Sequence, residues 1–230
     1  MTLRFPVEMA RIALTFDDDP KVITSTDGIE LGTRVLLRVL EELNQTATPP
    51  IRVTFFAVGI NIKKALNHYP DVIEQIKAGG HEVQNHSYSH PANFHQLSPT
   101  QAVDEVRRNH DLIATTFGEA PRFFRPPNGF INEANQRAIL AAMPGYQMCG
   151  WDRHEEKSVE QPTRLRHRVV SQAKDQQIVL LHVWRKTTLW SIRAICQNLQ
   201  ARQYQMVTVG NLERDPIFYG LKNPDLLAVA

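Results

Sequence analysis

The chain has 230 residues, of which 42% are hydrophobic and 22% charged, and this composition is typical of a globular protein with a substantial apolar core. Its 26 Lys and Arg residues nearly balance its 24 Asp and Glu residues, so the net charge indicates neither a nucleic-acid partner nor an anionic membrane surface. No window approaches the ~18 consecutive apolar residues that a membrane-spanning helix needs. We therefore expect no nucleic-acid partner and no membrane span.

Short β-rich runs alternate with longer segments of helical periodicity along the whole chain. The predicted strands cover residues 12–16, 52–58, 82–85, 123–124, 146–149, 178–181 and 206–209. The predicted helices cover residues 33–43, a stretch that ends at Gly79-Gly80, and residues 99–117, 133–142, 163–172 and 189–202. Repeated strand–helix units predict an α/β fold with a parallel sheet covered by helices, either a barrel or an open doubly wound sheet.

The N-terminus lacks the basic-then-apolar pattern of a signal peptide. We therefore expect a cytoplasmic protein from the sequence as written, and a secreted or periplasmic one if a leader was removed. Cys149 and Cys196 lie far apart and outside any CxxC pattern, so we expect two free buried thiols. The sequence gives no indication of the oligomeric state.

Polar side chains directly follow four of the predicted strands. They are Asp17-Asp18, Asn85-His86, Arg125 and His182. In parallel α/β folds the carboxyl ends of the strands lie on one rim, and functional sites are found at that rim. The sequence therefore predicts that these side chains meet at one site.

His86 and His90 stand four residues apart in the segment Asn-His-Ser-Tyr-Ser-His-Pro. Two imidazoles at this spacing can bind one metal ion, although the spacing also occurs by chance. Asp17, Asp18 and Asp19 follow an apolar strand, where a solvated Asp-rich turn is the alternative interpretation. Two adjacent carboxylates can have different roles at a metal site. One binds the metal, which lowers the pKa of its bound water to about 7, and the other accepts a proton from that water.

His182 follows the apolar run from residue 178 to residue 181. A lone histidine at such a place is more often a structural hydrogen-bonding residue. An amide hydrolase, however, needs an acid to protonate the leaving amine, and imidazole suits neutral pH. Arg125 begins the segment Arg-Pro-Pro-Asn-Gly, which is either a rigid loop or a means of placing a guanidinium against a catalytic carboxylate and favouring its ionised form.

Five segments together resemble the motifs of the polysaccharide deacetylase (NodB-homology) family, carbohydrate esterase family four. They are residues 15–20 (Thr-Phe-Asp-Asp-Asp-Pro, against Thr-Phe-Asp-Asp-Gly-Pro in the family), 53–59, 80–91 with the metal-binding motif, 125–129, and Leu180-x-His182. Each motif alone is of modest specificity, but their joint occurrence in the family's order is highly specific. The resemblance covers about residues 11–212, so we expect one domain over residues 1–230 with its core there.

The resemblance implies a distorted (β/α) barrel of the NodB-homology type, with fewer strands than the eight of a standard barrel. It also implies a metal-dependent hydrolase of N-acetyl groups. Carried over residue by residue, the reacting groups are Asp17 as general base, His182 as general acid, Arg125 as the residue that orients Asp17, and Asp18, His86 and His90 as metal ligands. The implied substrate contacts are Leu180 in the acetyl pocket, the backbone N–H of Asn128 at the oxyanion, and Pro127 beside it.

Three features depart from the family's pattern. Asp19 replaces the usual glycine of the first motif, which adds a carboxylate beside the metal and constrains a flexible turn. Asn128 replaces an aromatic residue, so an aromatic wall for a sugar ring is lost there. The fourth motif, whose Asp normally holds the catalytic imidazole, is not recognisable after Trp151. The candidates for that role here are Asp152, Glu155 and Glu156.

We therefore predict hydrolysis of N-acetyl groups on a carbohydrate that contains N-acetylglucosamine, such as a chitin oligosaccharide or peptidoglycan, with release of acetate. Zn²⁺ is the first choice of metal, and Co²⁺, Ni²⁺, Mn²⁺ and Fe²⁺ are compatible with the same ligands. Two alternatives stay open. One is a hydrolase of a non-sugar amide, such as a cyclic imide or ureide. The other is a metal-binding pseudoenzyme that binds carbohydrate, which only the degraded fourth motif favours.

Overall fold

The computed structural model of the protein describes residues 9–155 and 161–213. Within these residues the chain forms ten β-strands and seven α-helices. The strands are β1 (Ala10–Asp19), β2 (Val22–Thr24), β3 (Glu30–Gly32), β4 (Thr54–Ala57), β5 (Glu82–Asn85), β6 (Phe123–Phe124), β7 (Gln147–Met148), β8 (Arg153–His154), β9 (Gln177–Leu181) and β10 (Tyr204–Met206). The helices are α1 (Thr33–Asn44), α2 (Gly59–His68), α3 (Pro70–Ala78), α4 (Pro99–Phe117), α5 (Glu133–Ala142), α6 (Pro162–Ser171) and α7 (Lys186–Ala201).

Eight strands form one parallel sheet in the order β7-β6-β5-β4-β1-β9-β8, with β10 paired to β1 outside this path. The long strand β1 lies at its centre and pairs with β4, β9 and β10. The sheet curves into a half-barrel surrounded by helices, and no pairing within the described residues joins β7 to β8. The predicted distorted α/β barrel is therefore confirmed, and the doubly wound alternative is wrong. Strands β2 and β3 form a separate antiparallel hairpin.

The apolar residues of β1 are buried on both faces, because helices cover the outside of the sheet and side chains fill its inside. Ile12, Leu14 and Phe16 are inaccessible to solvent and pack in the large cluster to which α1 and α7 contribute. Ala13 points the other way and packs with Phe56 in a smaller cluster. Full burial of a large apolar side chain stabilises the fold by about 1.5–3 kcal/mol. The carboxylates at the end of β1 are thus attached to a firmly held strand.

Most predicted elements agree with the structure, and β5, β6 and α5 have the predicted boundaries. The helix predicted to end at Gly79-Gly80 is two helices, because Pro70 lacks an N–H group and begins α3 as a new helix. The strand predicted for residues 206–209 ends at Met206, and a 3₁₀ turn follows at Val209–Asn211. The hairpin of β2 and β3 and the two-residue strand β8 had no counterpart among the predicted elements.

Two further expectations concern the cysteines and the membrane. Cys149 and Cys196 are both buried and free, as predicted. In the part of the chain that the structure describes, no helix combines the length and the apolar character that crossing a membrane requires.

Candidate active site

The C-terminal end of β1 carries three consecutive carboxylates, and a bulge directs them to different places. The register between β1 and β4 shifts between Asp17 and Asp19, and Asp18 has a left-handed φ of 70°. Such a bulge re-aims the side chains beside it. Asp19 turns away from the other two and accepts a 2.5 Å hydrogen bond from the Thr33 hydroxyl. Only Asp17 and Asp18 therefore contact the histidines that follow β5.

The loop after β5 is shaped by a chain of hydrogen bonds that begins at Asn85. Its side-chain oxygen accepts the backbone N–H of Ser87, whose hydroxyl in turn accepts the backbone N–H of His90 at 3.0 Å. Ser87 and His90 both have positive φ, which tightens the loop. The two imidazoles of His86 and His90 consequently lie side by side, with ring centroids 4.9 Å apart. Ser87 thus steadies the segment between the two histidines.

Asp18, His86 and His90 form a group that fits a metal ion. One ligand atom from each lies within 4.8 Å of the others, and no other such group of three occurs among the described residues. Oδ1 of Asp18 is 3.2 Å from Nε2 of His90 and 3.7 Å from Nε2 of His86. Two imidazoles and one carboxylate leave coordination positions for water and substrate, as a catalytic site requires.

The protonation of these ligands also suits a cation. Nδ1 of His86 lies 2.6 Å from the carbonyl oxygen of Arg125, so Nδ1 carries the proton that it donates and the Nε2 lone pair faces Asp18. Burial lowers the pKa of His86 to about 4, so its imidazole is neutral at neutral pH. Burial alone would raise the pKa of Asp18, but its interactions with His86, Lys21 and His90 bring that pKa well below its usual range. Neutral imidazoles beside an ionised carboxylate are what metal binding requires.

Asp17 is held by a buried arginine. Arg125 has no solvent exposure, and its Nη1 donates to Oδ1 of Asp17 at 2.6 Å and to the Thr15 hydroxyl at 2.9 Å. The guanidinium also stacks on the Phe56 ring, with Cζ 3.8 Å from the ring centroid. Oδ2 of Asp17 remains 3.7 Å from Nε2 of His86. The carboxylate is therefore fixed by one oxygen and turns the other toward the metal ligands.

His182 has an acidic partner that the sequence left among three candidates. Nδ1 of His182 lies 2.7 Å from Oε1 of Glu155. Glu155 reaches it because β8 pairs with β9, so that the residues following the two strands are neighbours. The other oxygen of Glu155 accepts a hydrogen bond from Thr188. Asp152 instead accepts the backbone N–H of Ile178, and the third candidate, Glu156, lies outside the described residues.

The partner changes the acidity of His182. Burial alone would lower the pKa of this imidazole. The hydrogen bond that His182 donates to Glu155 and the negative charges of Asp17 and Asp18 outweigh burial and raise the pKa above its usual value. The raised pKa favours the protonated imidazole, which is the form that a general acid needs.

The residues predicted to touch substrate occupy the same rim. Leu180 is a buried residue of β9 whose register partner on β1 is Thr15, two residues before Asp17. Pro127 is buried, whereas Asn128 is exposed and has a left-handed φ of 57°. The side-chain amide of Asn128 donates to the carbonyl oxygen of Ala92 at 3.4 Å. This hydrogen bond thus links the loop after β6 to the loop that contains Ala92. The backbone at Asn128 itself forms a turn.

Asp19 is not beside the metal ligands in the way the sequence predicts. It is fully buried, one of its oxygens bonds to Thr33, and the other has no hydrogen-bond partner among residues 9–155 and 161–213. Burial raises its pKa to about 7. The structure adds Lys21 and Trp184 to the residues predicted for the site, and both contact Asp18.

The strand ends of this open parallel α/β barrel carry an Asp-His-His group, a second buried carboxylate and a histidine with an acidic partner. These are the features of a metal-dependent hydrolase. The chain belongs to the polysaccharide deacetylase family, because the family model described as polysaccharide deacetylase matches residues 6–147. The family predicted from the motifs is confirmed.

Individual relatives agree with this assignment. The chain is 29% identical over 204 residues to the peptidoglycan-N-acetylmuramic acid deacetylase PdaC of Bacillus subtilis, a match that covers 88% of this chain and 38% of PdaC. It is 30% identical over 224 residues to a peptidoglycan-N-acetylglucosamine deacetylase of Bacillus cereus, a match that covers 93% of each protein. The chain therefore spans well under half of the full length of PdaC and nearly all of the B. cereus relative.

Solved structures show the same fold. The structure of the peptidoglycan deacetylase PdaC from B. subtilis has a TM-score of 0.73 at 28% identity and covers 90% of this chain and 91% of that one. A family 4 carbohydrate esterase from Streptomyces lividans, in complex with acetate, has a TM-score of 0.69 at 28% identity, with 86% and 91% covered.

Proposed function

We propose that the protein is a metal-dependent N-deacetylase that hydrolyses the N-acetyl group of an amino sugar in a glycan and releases acetate. The observation that carries the proposal is the Asp18, His86 and His90 group, whose ligand atoms lie within 4.8 Å of one another beside Asp17. His182 lies close enough to Asp17 and Asp18 for their negative charges to raise its pKa. Metal ligands, a base and an acid therefore share one rim of the half-barrel.

Two residues of the protein transfer protons in this reaction, Asp17 as the acceptor and His182 as the donor. A divalent ion at this site supplies a Lewis acid that lowers the pKa of water to about 7 and polarises a carbonyl group. Asp17 takes the proton of the attacking water through Oδ2, because Arg125 holds the other oxygen. His182 is held at Nδ1 by Glu155, so Nε2 is the atom that delivers a proton to the leaving amine.

Two parts of the rim receive the acetyl group. Leu180 offers an apolar wall for its methyl group, since this side chain lies on β9 two residues before His182. The backbone N–H of Asn128, in the turn that follows Pro127, is assigned to the oxyanion that develops on the carbonyl oxygen. One preorganised donor of this kind is typically worth about 10²–10³-fold in rate.

Zn²⁺ is the proposed metal, because two imidazoles and one carboxylate suit it and leave open positions. Co²⁺, Ni²⁺, Mn²⁺ and Fe²⁺ accept the same ligand types, and metal analysis of the purified protein distinguishes them. About one ion per chain is expected.

Peptidoglycan is the proposed glycan, with its N-acetylglucosamine or N-acetylmuramic acid residues as the reacting sugars. The names of the B. subtilis and B. cereus relatives support this choice over chitin oligosaccharides. The contact between Glu155 and His182 counts against a pseudoenzyme, because it supplies the acidic partner whose absence from the sequence motif was the only support for that alternative.

An acetate-release assay tests the proposal. The Zn²⁺-loaded protein is incubated with peptidoglycan fragments, chitin oligomers, a cyclic imide and a ureide, with and without a chelator. We expect acetate from the N-acetylated glycans, loss of release with the chelator, and recovery when Zn²⁺ is added. Hydrolysis of the imide or ureide alone, which opens the ring without releasing acetate and is monitored through loss of the substrate, would identify a non-sugar amidase. A metal-loaded protein that binds the glycans and releases no acetate would identify a pseudoenzyme.

A further inference from the structure

The two carboxylate oxygens of Asp18 have different surroundings. Oδ1 faces the two imidazoles of the metal site. Oδ2 accepts a hydrogen bond from Nε1 of Trp184 at 3.1 Å and another from Nζ of Lys21 at 3.2 Å. The first donor is neutral and rigid, and the second is a positive charge on a flexible stem. Oδ1 thus faces the candidate metal site, while Oδ2 is already hydrogen-bonded to two protein side chains.

We infer that Trp184 and Lys21 are positioning residues that hold Oδ2 of Asp18, so that this carboxylate binds the metal through Oδ1 alone, and that the Lys21 charge weakens divalent-cation binding. The inference rests on the metal site of the proposed function. It assigns the two residues opposite effects. Trp184 strengthens binding by orienting the ligand, and Lys21 weakens it by repelling a second cation from the same carboxylate.

Both residues are themselves held in place. The backbone N–H of Lys21 donates to the Thr33 hydroxyl at 2.7 Å, and the backbone N–H of Thr33 donates to the Lys21 carbonyl oxygen at 2.6 Å. The start of the β2–β3 hairpin is therefore tied to the first turn of α1. Trp184 packs against His182, with ring centroids 5.1 Å apart, and carries the Arg185 guanidinium on its ring. These contacts fix the directions from which both donors reach Asp18.

The electrostatic surroundings make the Lys21 charge effective. Asp18 has only 16% of its side chain exposed and Lys21 has 31%, so solvent screens their interaction incompletely. A cation arriving at Oδ1 shares the Asp18 charge with the ammonium group. Removing the ammonium leaves the full carboxylate charge to the metal, whereas removing the indole N–H leaves all charges unchanged and loosens the ligand.

The test is a titration of the metal-free protein with Zn²⁺ and Co²⁺ against a chromophoric chelator. We expect Lys21→Met to bind these ions about fivefold more tightly than the parent, because a repulsive charge is lost. Lys21→Arg keeps the charge, so its affinity should stay within about twofold of the parent. Trp184→Phe should bind about tenfold more weakly, which is the usual cost of losing a group that orients a metal ligand.

Tryptophan fluorescence gives a second readout. Metal binding at Oδ1 alters the charge on the acceptor of the Trp184 indole, so the parent's emission should change on Zn²⁺ addition and that change should disappear in Trp184→Phe. Trp190→Phe is the matched control, because Trp190 lies on the exposed side of α7 with 59% of its surface accessible. Lys186→Met is the control for Lys21→Met, since Lys186 pairs with Asp27 on the hairpin.

The outcomes separate the two proposals. Unchanged or weaker binding in Lys21→Met, or unchanged binding in Trp184→Phe, overturns the inference and leaves the proposed function intact. A parent protein that binds neither Zn²⁺ nor Co²⁺ overturns the metal site and this inference together.

Discussion

Nδ1 of His182 and Oε1 of Glu155 lie 2.7 Å apart, and the carboxylate in this pair is almost completely buried. Glu155 also forms an ion pair with Arg185 and accepts a hydrogen bond from Thr188, so it is held from three directions. A carboxylate fixed in this way orients the imidazole and stabilises its protonated form. Glu155 is therefore positioned to take the role that the family's pattern gives to the missing fourth-motif aspartate.

Glu155→Gln should reduce kcat and shift the alkaline limb of the pH–rate profile to lower pH. The amide is neutral, so it no longer raises the pKa of His182, and the imidazole loses its proton at a lower pH. A general acid is worth about 10²–10⁴-fold, so we expect a loss of about tenfold or more when its support is removed. The measurement is acetate release as a function of pH.

Asp152→Asn is the matched control for Glu155→Gln. Asp152 is a nearby carboxylate, but it accepts the backbone N–H of Ile178 instead of contacting His182. Its amide variant should keep the parent's alkaline limb. If Glu155→Gln kept that limb as well, Glu155 would not be the partner that sets the acidity of His182.

The paired carboxylates should separate chemistry from metal binding. Asp17→Asn should keep about one metal ion per chain but lower kcat by about 10²–10⁴-fold, because the base that takes the water proton is lost. Asp18→Asn should lose metal as well as activity, since Oδ1 is a ligand atom. Elemental analysis beside acetate release distinguishes the two. Near-normal turnover in Asp17→Asn would require another base, and Asp19 is a poor candidate because its carboxyl group is fully buried against Thr33.

The parts of this molecule that the sequence predicted follow from local rules. The strand β5 and the helix α5 have their predicted boundaries because apolar periodicity and flanking turn residues are local signals, and β6 was predicted from the adjacent aromatic residues Phe123 and Phe124. The candidate metal-binding group was also predictable, because His86 and His90 stand close together in the sequence and Asp18 stands at the end of an apolar run. Asp18 lies at the C-terminal end of β1 and the two histidines follow β5, and the parallel arrangement of these strands brings all three side chains to one rim.

The remaining part of the site depends on long-range contacts that no local sequence pattern indicates. Glu155 meets His182 only because β8, a strand of two residues, pairs with β9. Two residues are too few for a periodic signal. Lys21 and Trp184 converge on Asp18 from segments 163 residues apart, and neither belongs to a motif. Asp19 was placed wrongly because the sequence does not show the bulge that turns it toward Thr33.

Removal of either histidine ligand should release the metal. His86→Ala and His90→Ala each leave two of the three ligand atoms, and we expect metal content well below one ion per chain after dialysis. His68→Ala is the control, because His68 is exposed on α2 and its ring lies beside that of Tyr69. Elemental analysis of the three variants provides the measurement. Full occupancy in both ligand variants would contradict the assignment.

His81, at the opposite end of β5 from the metal site, should make the protein less stable in acid. Burial and the nearby Arg52 charge lower its pKa from 6.5 to about 4, and its Nδ1 accepts the backbone N–H of Val53 at 3.3 Å. Because the folded-state pKa lies below the unfolded value, the unfolded chain binds the proton first as the pH falls. The contribution to the free energy of unfolding is complete above pH ~6.5 and is lost toward pH ~4, by at most about 3 kcal/mol.

His81→Gln should therefore remove part of the acid sensitivity, because glutamine keeps an acceptor for Val53 and takes up no proton. The measurement is urea unfolding of the metal-free parent and variant at pH 7.5 and pH ~4.5. We expect the parent to lose more unfolding free energy between these two pH values than His81→Gln does, and His68→Gln, which changes an exposed histidine, to behave like the parent. His86 also has a lowered pKa and contributes equally to all three proteins, so the difference between them isolates His81. An identical loss in parent and His81→Gln would show that His81 does not titrate differently in the folded and unfolded states.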